Sequence, residues 1–299
     1  MTKLIVSVII VSYNTKKLLK NCLSSVFNHT KSTQFEIIVV DNASKDGSPQ
    51  MVKKIFPQVR LLRNKKNVGF GQANNQAAKV ARGKNLLFLN SDTSLTEDSI
   101  SVIVNYLKNH PDVTITGCLL KNIDGSIQQS AGFFPTLSKI FFWALFLDDL
   151  PIIRDLIRPY QISSKKFYEK EQEVNWVTGA FFLLKKQVFD HLGGFDKNLF
   201  MYGEEVDLCY RAKKKGFKVS YTPKTNTVHY KSASSKSGEA IIKEFKFLIY
   251  FFKKYKNKWQ LPLLKFLLKI ACLSRILLFG IIMSKPTTKK IYEKTFKLV

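Results

Sequence analysis

The first third of the chain alternates between short apolar runs and longer amphipathic stretches. Four runs predict strands: residues 4–11, 35–40, 59–63 and 85–89. The first is a short, apolar, β-branched run that fits a strand buried on both faces, and the second reads as a further buried strand. Three stretches between them place apolar residues at helical spacing: residues 15–28, 50–56 and 71–81. This alternation with short links predicts an α/β fold, an open and mostly parallel sheet flanked by helices.

Polar side chains follow three of the predicted strands. They are Ser12-Tyr13-Asn14 after the first strand, Asp41-Asn42 after the second and Asn90-Ser91-Asp92 after the fourth. In open α/β sheets, ligands bind beyond the carboxyl ends of the strands. These clusters therefore predict a ligand site along one edge of the sheet.

The middle of the chain interrupts the alternation. Residues 133–168 are aromatic and amphipathic, with prolines as breakers, and predict an inserted helical segment that either covers an acceptor cleft or pads the core. Strand character returns at residues 174–185. Residues 219–228 predict a short strand, a turn at Pro223 and a second strand leading to His229.

Two polar clusters have the chemistry to contact a nucleotide. A carboxylate at a strand end, such as Asp41, can accept a hydrogen bond from the N3–H of uracil or thymine, although the motif alone favours an ordinary Asx turn. The second cluster combines amides with a glycine that allows close backbone approach: Asn67, Gly69 and Asn74. The first strand lacks a following Gly-x-Gly, so this is not a dinucleotide fingerprint.

Two further positions have metal-ligand chemistry. Asp92, just beyond a strand end, is a hard oxygen ligand suited to Mg²⁺ or Mn²⁺ beside a diphosphate. His229 is a candidate second ligand, and the alternative is a structural histidine.

Two more motifs complete the candidate site. Trp176 could stack on a sugar ring, and the small residues after it allow close approach of another molecule: Thr178, Gly179 and Ala180. The segment 203–216, GEEVDLCYRAKKKG, reads as a helix start with acids in its first turn, namely Glu204, Glu205 and Asp207, followed by Arg211. The alternative for this segment is a well-capped surface helix.

The charge distribution argues against nucleic acid as the partner. The formal net charge is +26, but residues 240–299 alone hold 14 Lys or Arg and two Glu, a balance of +12, in a segment rich in Phe, Leu and Ile. A basic and apolar tail indicates an anionic membrane surface more than a phosphate backbone.

Residues 261–283 form a long apolar stretch in this tail. At 100° per residue Lys265, Lys269 and Arg275 are expected on one side of a helix, which favours a helix lying in the membrane interface over one that spans it. The alternative is a helix packed on the protein's own core. The four cysteines have neither metal-site nor disulfide spacing, and no cleavage site follows the N-terminal apolar run, so a reducing, cytoplasmic location is expected.

Seven motifs occur in one order: SVIIVSYN (7–14), VVDNASKDGS (39–48), NVGFGQANNQA (67–77), LFLNSD (87–92), WVTGAFFLLKK (176–186), GGFDKNLFMYGEEVDLCYR (193–211) and His229. Together they resemble the family 2 inverting glycosyltransferases with the GT-A fold, most closely the rhamnosyltransferase-like branch. The resemblance covers about residues 4–235.

The resemblance implies a role for each matching residue. Glu205 matches the catalytic-base position, where many members have Asp, and Asp41 would read the base. Asp92 matches the last acid of the Asp-x-Asp metal motif, Asn90 stands at its first position, and His229 matches a metal ligand. The remaining donor-site residues would be Ser12, Tyr13, Asn14, Asn67, Gly69, Asn74 and Ser91, with Glu204, Asp207 and Arg211 in support and Trp176, Thr178, Gly179 and Ala180 facing the acceptor.

The resemblance also implies a domain plan. Residues 1–235 would form the GT-A domain, with a nucleotide-sugar half (1–115) and an acceptor half (116–235) that carries the helical insert 133–170. Beyond the resemblance, the charge and apolar content of residues 236–299 predict a basic, membrane-associating helical tail on the inner face of the cell membrane.

The implied reaction moves a sugar, rhamnose from dTDP-rhamnose in this branch, to a cell-surface or lipid-linked glycan, with Mg²⁺ or Mn²⁺ as cofactor. Alternatives are transfer of glucose, galactose or N-acetylglucosamine from a UDP donor, or a nucleotide-sugar-binding assembly partner without catalysis. The joint presence of Asp92, Glu205 and His229 argues against the non-catalytic alternative.

Overall fold

A computed structural model of the chain describes residues 5–230 and 237–299. Two compact units are distinguished: one combines Met1–Ala131 with Lys165–Ser234, and the other combines Gly132–Ser164 with Ser235–Val299. Residues 133–164 of the predicted insert thus belong to the same unit as the tail, while residues 165–170 belong to the first unit. The predicted domain boundary at residues 235 and 236 includes positions outside the described residues, and the domain plan stays a prediction.

The strands and helices alternate along most of the chain. The strands are β1 (Val6–Ser12), β2 (Phe35–Asp41), β3 (Arg60–Arg63), β4 (Asn85–Asn90), β5 (Thr93–Ser94), β6 (Val113–Lys121), β7 (Ala131–Gly132), β8 (Gln172–Val174), β9 (Trp176–Val177), β10 (Phe181–Lys185) and β11 (Lys218–His229). The helices are α1 (Lys16–His29), α2 (Ser48–Ile55), α3 (Phe70–Val80), α4 (Ser99–Asn109), α5 (Leu137–Ala144), α6 (Pro151–Ile157), α7 (Lys186–His191), α8 (Glu204–Lys214), α9 (Ser237–Tyr255), α10 (Gln260–Leu277) and α11 (Pro286–Leu298).

The main sheet belongs to the first unit. Its strand order in the described residues is β3-β2-β1-β4-β10-β6-β11-β5, with β8 paired to β11. Strands β1 to β4 are parallel, while β10 runs antiparallel to both β4 and β6. In this register Ser12 is paired with Asp41, and Val11 with Asn90, so the carboxyl ends of β1, β2 and β4 meet at one edge.

The apolar pattern explains these elements. The β1 side chains from Val6 to Ile10 are fully buried, as expected for a strand covered on both faces. Helix α1 buries one stripe at spacings of three and four residues, made of Leu19, Cys22, Leu23 and Val26. The strands and helices predicted in the first third of the chain are confirmed to within about two residues at each end, apart from Leu4, which lies outside the described residues.

Strand β11 differs from the prediction. It is one strand from Lys218 to His229, with a shift of register between Thr222 and Asn226, where a turn at Pro223 was expected. Glu97 explains why the chain continues, because its Oε1 accepts hydrogen bonds from the Thr225 hydroxyl at 2.7 Å and the Asn226 backbone N–H at 2.8 Å. The carboxylate replaces the ladder bonds that the irregular segment lacks, and His229 emerges opposite Thr93.

The second unit is helical, and one prediction about it is wrong. Arg275 does not share the exposed side of α10 with Lys265 and Lys269: it is 5% exposed. Its guanidinium lies 4.1 Å from the ring centroid of Trp143 and 4.4 Å from that of Phe146, and it donates to the Trp143 carbonyl at 3.0 Å. A planar, weakly hydrated guanidinium can be buried when aromatic faces and carbonyls surround it.

No helix in residues 5–230 and 237–299 combines the length and the apolar character needed to cross a membrane.

Candidate active site

The ends of β1 and β4 are joined through one hydroxyl. Thr15 lies 2.9 Å from the Ser12 hydroxyl and donates to the Ser91 hydroxyl at 3.1 Å, and all three residues are buried. The polar residues predicted beyond the strands are therefore brought together. Sequence reasoning missed Thr15, because the sequence indicates only the first residue of the predicted helix 15–28 there.

Asp41 is 2% exposed, and its two carboxylate oxygens differ. Oδ2 accepts a hydrogen bond from the Ser44 backbone N–H at 3.1 Å, which is the Asx-type turn expected from the motif. Oδ1 is buried and has no hydrogen-bond partner in the part of the chain that the structure describes. An unpaired buried acceptor is costly, so Oδ1 is suited to an N–H donor from a ligand.

The loops after β1 and β2 are tied to each other. Asn14 adopts a left-handed conformation (φ 54°), its backbone N–H donates to the Ser44 hydroxyl at 2.9 Å, and its Oδ1 accepts from the Lys45 N–H at 2.7 Å. The neighbouring Tyr13 ring is exposed, so it is available for stacking at the edge of the site.

Gly69 is required by the protein's own backbone. It has φ +87°, and a Cβ there would lie 2.4 Å from the Phe200 carbonyl oxygen, which also accepts a hydrogen bond from the Phe70 N–H at 2.8 Å. Asn67 accepts from the Gly69 N–H at 2.9 Å, and Asn74 donates to the Phe70 carbonyl at 3.1 Å. These residues shape the loop between β3 and α3, and their contact with a donor stays a prediction.

Asp92 and His229, the two predicted metal ligands, lie next to each other, and their contact with an ion stays a prediction. The His229 Nε2 lies 3.2 Å from the Asp92 Oδ1 and 3.4 Å from the Asn90 Nδ2. Asp92 is buried, and its carbonyl accepts a hydrogen bond from the Tyr230 N–H at 2.9 Å. Residues 137 positions apart are thus held together by the pairing of β11 with β5.

Gln128 holds the histidine ring, and sequence reasoning missed it. Its Nε2 donates to the His229 carbonyl at 2.6 Å, which places its Oε1 3.0 Å from the His229 Nδ1. An amide oxygen can only accept, so Nδ1 carries a proton. In the neutral ring, Nε2 then presents its lone pair toward Asp92, the tautomer that a metal ligand needs.

The donor set fits a small divalent cation that takes most of its ligands from elsewhere. The described residues hold no group of three His, Cys, Asp or Glu placed to bind an ion. The 3.2 Å separation of the Asp92 and His229 atoms is close to the roughly 3 Å between neighbouring ligands of an ion with bonds of about 2.1 Å. Diphosphate oxygens and water would complete such a site.

Glu205 lies in the first turn of α8, which begins after Gly203 in a left-handed conformation (φ 87°). Its side chain is mostly buried, and burial raises the pKa of its carboxyl, while hydrogen bonds from the backbone of Glu205, Gly179 and Gly203 act to lower the pKa. Glu205 is thereby placed beside Gly179. The next residue, Ala180, accepts a hydrogen bond from the Asn90 N–H at 3.1 Å, so the acid belongs to the same edge as Asp92.

Comparison with known proteins identifies the family of the chain. The sequence model described as Glycosyl transferase family 2 matches residues 7–193. The chain belongs to this family. The resemblance found from the motifs is thus confirmed, and so is the open, mostly parallel α/β sheet.

The curated relatives of this glycosyltransferase include rhamnosyltransferases. The chain is 28% identical over 244 residues to the N-acetylglucosaminyl-diphospho-decaprenol L-rhamnosyltransferase of Mycobacterium tuberculosis, covering 77% of this chain and 78% of the relative. It is 28% identical over 242 residues to the rhamnosyltransferase WbbL of Escherichia coli K12, covering 78% and 86%. The family 2 glycosyltransferase is therefore rhamnosyltransferase-like.

A solved structure of GalNAc-T7 with UDP, GalNAc and Mn²⁺ shares the fold of this glycosyltransferase. The TM-score is 0.62 at 18% identity, and the match covers 99% of this chain and 56% of that one.

Two predicted supporting residues of the glycosyltransferase, Asp207 and Arg211, connect parts of its backbone. Asp207, fully buried, binds the Arg211 Nε at 2.8 Å, and Arg211 also donates to the carbonyls of Leu192 at 2.6 Å and Gly194 at 2.7 Å. This pair fixes the turn after α7 to the helix that carries Glu205. Glu204, also buried, opens the same helix.

Of the predicted acceptor residues, Gly179 lies next to Glu205. Trp176 is buried in β9, Thr178 donates its N–H to the Ser130 carbonyl at 2.9 Å, and a Cβ at Gly179 would contact the Phe70 ring at 3.5 Å. Their contact with an acceptor stays a prediction.

Proposed function

We propose that this glycosyltransferase moves a sugar from a nucleoside diphosphate donor to a glycan hydroxyl with inversion at the anomeric carbon. The observation that carries the proposal is the common edge where Asp41, Asp92, His229 and Glu205 lie. Asp41 offers an oxygen that can accept a hydrogen bond from a base N–H, and Asp92 and His229 offer two ligands for a cation. Glu205 offers a carboxylate whose pKa is raised by burial.

Donor binding follows from the two halves of this edge. The free Oδ1 of Asp41 accepts the N3–H of a uracil or thymine base, and the exposed Tyr13 ring covers the base face. Asp92 and His229 would hold Mg²⁺ or Mn²⁺ at the other end. When bound, that ion supplies charge stabilisation for the leaving diphosphate.

Glu205 is the general base. Its carboxylate accepts the proton of the acceptor hydroxyl while that oxygen forms a bond to the anomeric carbon, and the bond from this carbon to the diphosphate oxygen breaks with its electron pair. A raised pKa makes the carboxylate a stronger base near neutral pH than an ordinary glutamate. One displacement from the opposite face inverts the anomeric configuration.

Rhamnose from dTDP-rhamnose is the proposed donor, and a lipid-linked or cell-surface glycan is the proposed acceptor. Support comes from the two rhamnosyltransferase relatives, one of which is named for a diphospho-decaprenol acceptor. A panel of dTDP-rhamnose, UDP-glucose, UDP-galactose and UDP-N-acetylglucosamine, assayed for nucleoside diphosphate release with and without Mn²⁺, tests this proposal. Faster release from any UDP-sugar than from dTDP-rhamnose would contradict the donor assignment.

Removal of the Gln128 amide tests the ligand pair. Gln128→Met keeps the side-chain length but cannot hold the His229 Nδ1 proton, so Mn²⁺ affinity in the presence of nucleoside diphosphate is expected to fall about 10- to 100-fold. Electron paramagnetic resonance of free Mn²⁺ measures this directly.

Gln128→Glu is the matched control for this prediction, because it keeps an acceptor oxygen beside Nδ1. It is expected to retain more of the affinity than Gln128→Met. Equal Mn²⁺ affinity in Gln128→Met and the wild type would show that His229 is not a ligand oriented by Gln128.

The proposed location is the inner face of the cell membrane, as a peripheral protein. The support is the +12 balance of residues 240–299 together with their apolar content.

A further inference from the structure

Helix α10 has two apolar faces. One face is buried and carries Leu264, Leu267, Leu268, Ala271 and Cys272. The opposite side, here called the outer face, consists of Leu263, Phe266, Leu273 and Leu277, which are 42%, 60%, 54% and 55% exposed. Spacings of three, seven and four residues align these four side chains in one stripe along the helix.

Exposed apolar side chains also flank the helix at both ends. Trp259, directly before α10, is 63% exposed, and Ile282 and Met283 after it are 71% and 43% exposed. A helix of this length extends about 27 Å at 1.5 Å per residue. Large contiguous apolar surfaces are rare on monomeric soluble proteins, and they mark sites of contact with a protein or a membrane.

The charge around the outer face favours a membrane over a protein as the partner. Lys265 and Lys269 are exposed and lie to one side of the stripe, about 100° and 60° from Phe266 around the helix axis. The sequence has no Asp or Glu between Glu244 and Glu293, while the same stretch holds 11 Lys or Arg.

A second copy of the chain fits this surface poorly. A two-fold interface would bring the lysines of both outer faces together, and residues 245–292 offer no carboxylate to neutralise them. Anionic lipid headgroups supply the missing charge, and acyl chains accept the apolar stripe.

We propose that the outer face of α10 is the membrane-docking surface of the enzyme, with Leu263, Phe266, Leu273 and Leu277 entering the acyl boundary. Lys265 and Lys269 contact lipid phosphates at the headgroup level. This inference rests on the proposed membrane location and assigns it to four apolar and two basic side chains.

Vesicle sedimentation of the full chain tests the assignment. Vesicles of phosphatidylcholine with 30 mol% phosphatidylglycerol, at roughly physiological salt, are compared with pure phosphatidylcholine. The double variant Phe266→Ser, Leu273→Ser is expected to bind the anionic vesicles at least tenfold more weakly than the wild type. Lys265→Gln, Lys269→Gln is expected to lose much of the preference for anionic over neutral vesicles.

Ile123→Ser is the matched control, since Ile123 is 72% exposed but lies in the first unit. It is expected to bind like the wild type. Fluorescence of Trp259 gives a second readout, because the indole should shift to shorter wavelength on docking and not in the double serine variant.

Each other outcome overturns the assignment. Equal vesicle binding by the wild type and the double serine variant would show that the protein binds the membrane through a surface other than the outer face of α10. Absence of vesicle binding by the wild type would overturn both the membrane location and the docking surface on α10. A dimer in sedimentation equilibrium that only the double serine variant dissociates, without vesicle binding, would make a second copy the occupant. Nucleoside diphosphate release from the donor panel is measured without vesicles, so the sugar-transfer proposal stands or falls separately.

Discussion

Glu205→Gln is expected to lower kcat for sugar transfer by about 10²- to 10⁴-fold, the usual cost of losing a general base. The amide has almost the same shape as the acid but cannot take a proton from the acceptor hydroxyl. Donor affinity should change little, because Asp41 and the Asp92–His229 pair do not depend on this side chain. Single-turnover transfer and calorimetric titration of nucleoside diphosphate separate the two effects.

The wild-type pH profile provides an independent check. Because burial raises the pKa of Glu205, the acid limb of kcat/KM should lie above the ordinary range of a glutamate, and activity should rise as pH increases through it. Glu173→Gln, which removes an exposed carboxylate paired with Lys213, is the control and should leave both quantities unchanged. Wild-type turnover in Glu205→Gln would move the base to Glu204 or Asp207.

Asp92→Ala is expected to have the second largest effect. It removes one of the two proposed protein ligands, so Mn²⁺-dependent binding of nucleoside diphosphate should weaken by more than about 100-fold, the upper cost of losing a residue that only orients a ligand. Binding measured in chelator should differ little between the variant and the wild type, because the lost interaction needs the ion.

Asp124→Asn is the control, since Asp124 belongs to an exposed turn and bonds only to Ser126 in the hydrogen bonds described for it. Full wild-type transfer in excess chelator would disprove metal dependence and leave the Asp92–His229 pair with a structural role.

The edge of the sheet was predictable because strand endings are local signals. A short apolar run followed by Asp41 or Asn90 gives both the strand and the position of the acid or amide at its end. Parallel pairing then places these ends together without further information.

The supports of the site were not predictable in the same way. Gln128 meets His229 across 101 positions, and Glu97 meets Asn226 across 129, with no periodicity to mark either pair. The inward turn of Arg275 depends on Trp143 and Phe146, which come from the inserted segment. Helical spacing gives the direction of a side chain and not the neighbour that it meets.

The buried carboxyl of Glu205 affects the stability of the folded chain as well as its proposed activity. A carboxyl whose pKa is higher in the folded than in the unfolded chain favours folding at acid pH, and this contribution disappears as pH rises through the folded-state pKa. At neutral pH the Glu205 carboxyl therefore lowers the thermal stability of the protein. Glu205→Gln is therefore expected to raise the melting temperature at neutral pH while it lowers the proposed activity, a trade between stability and function.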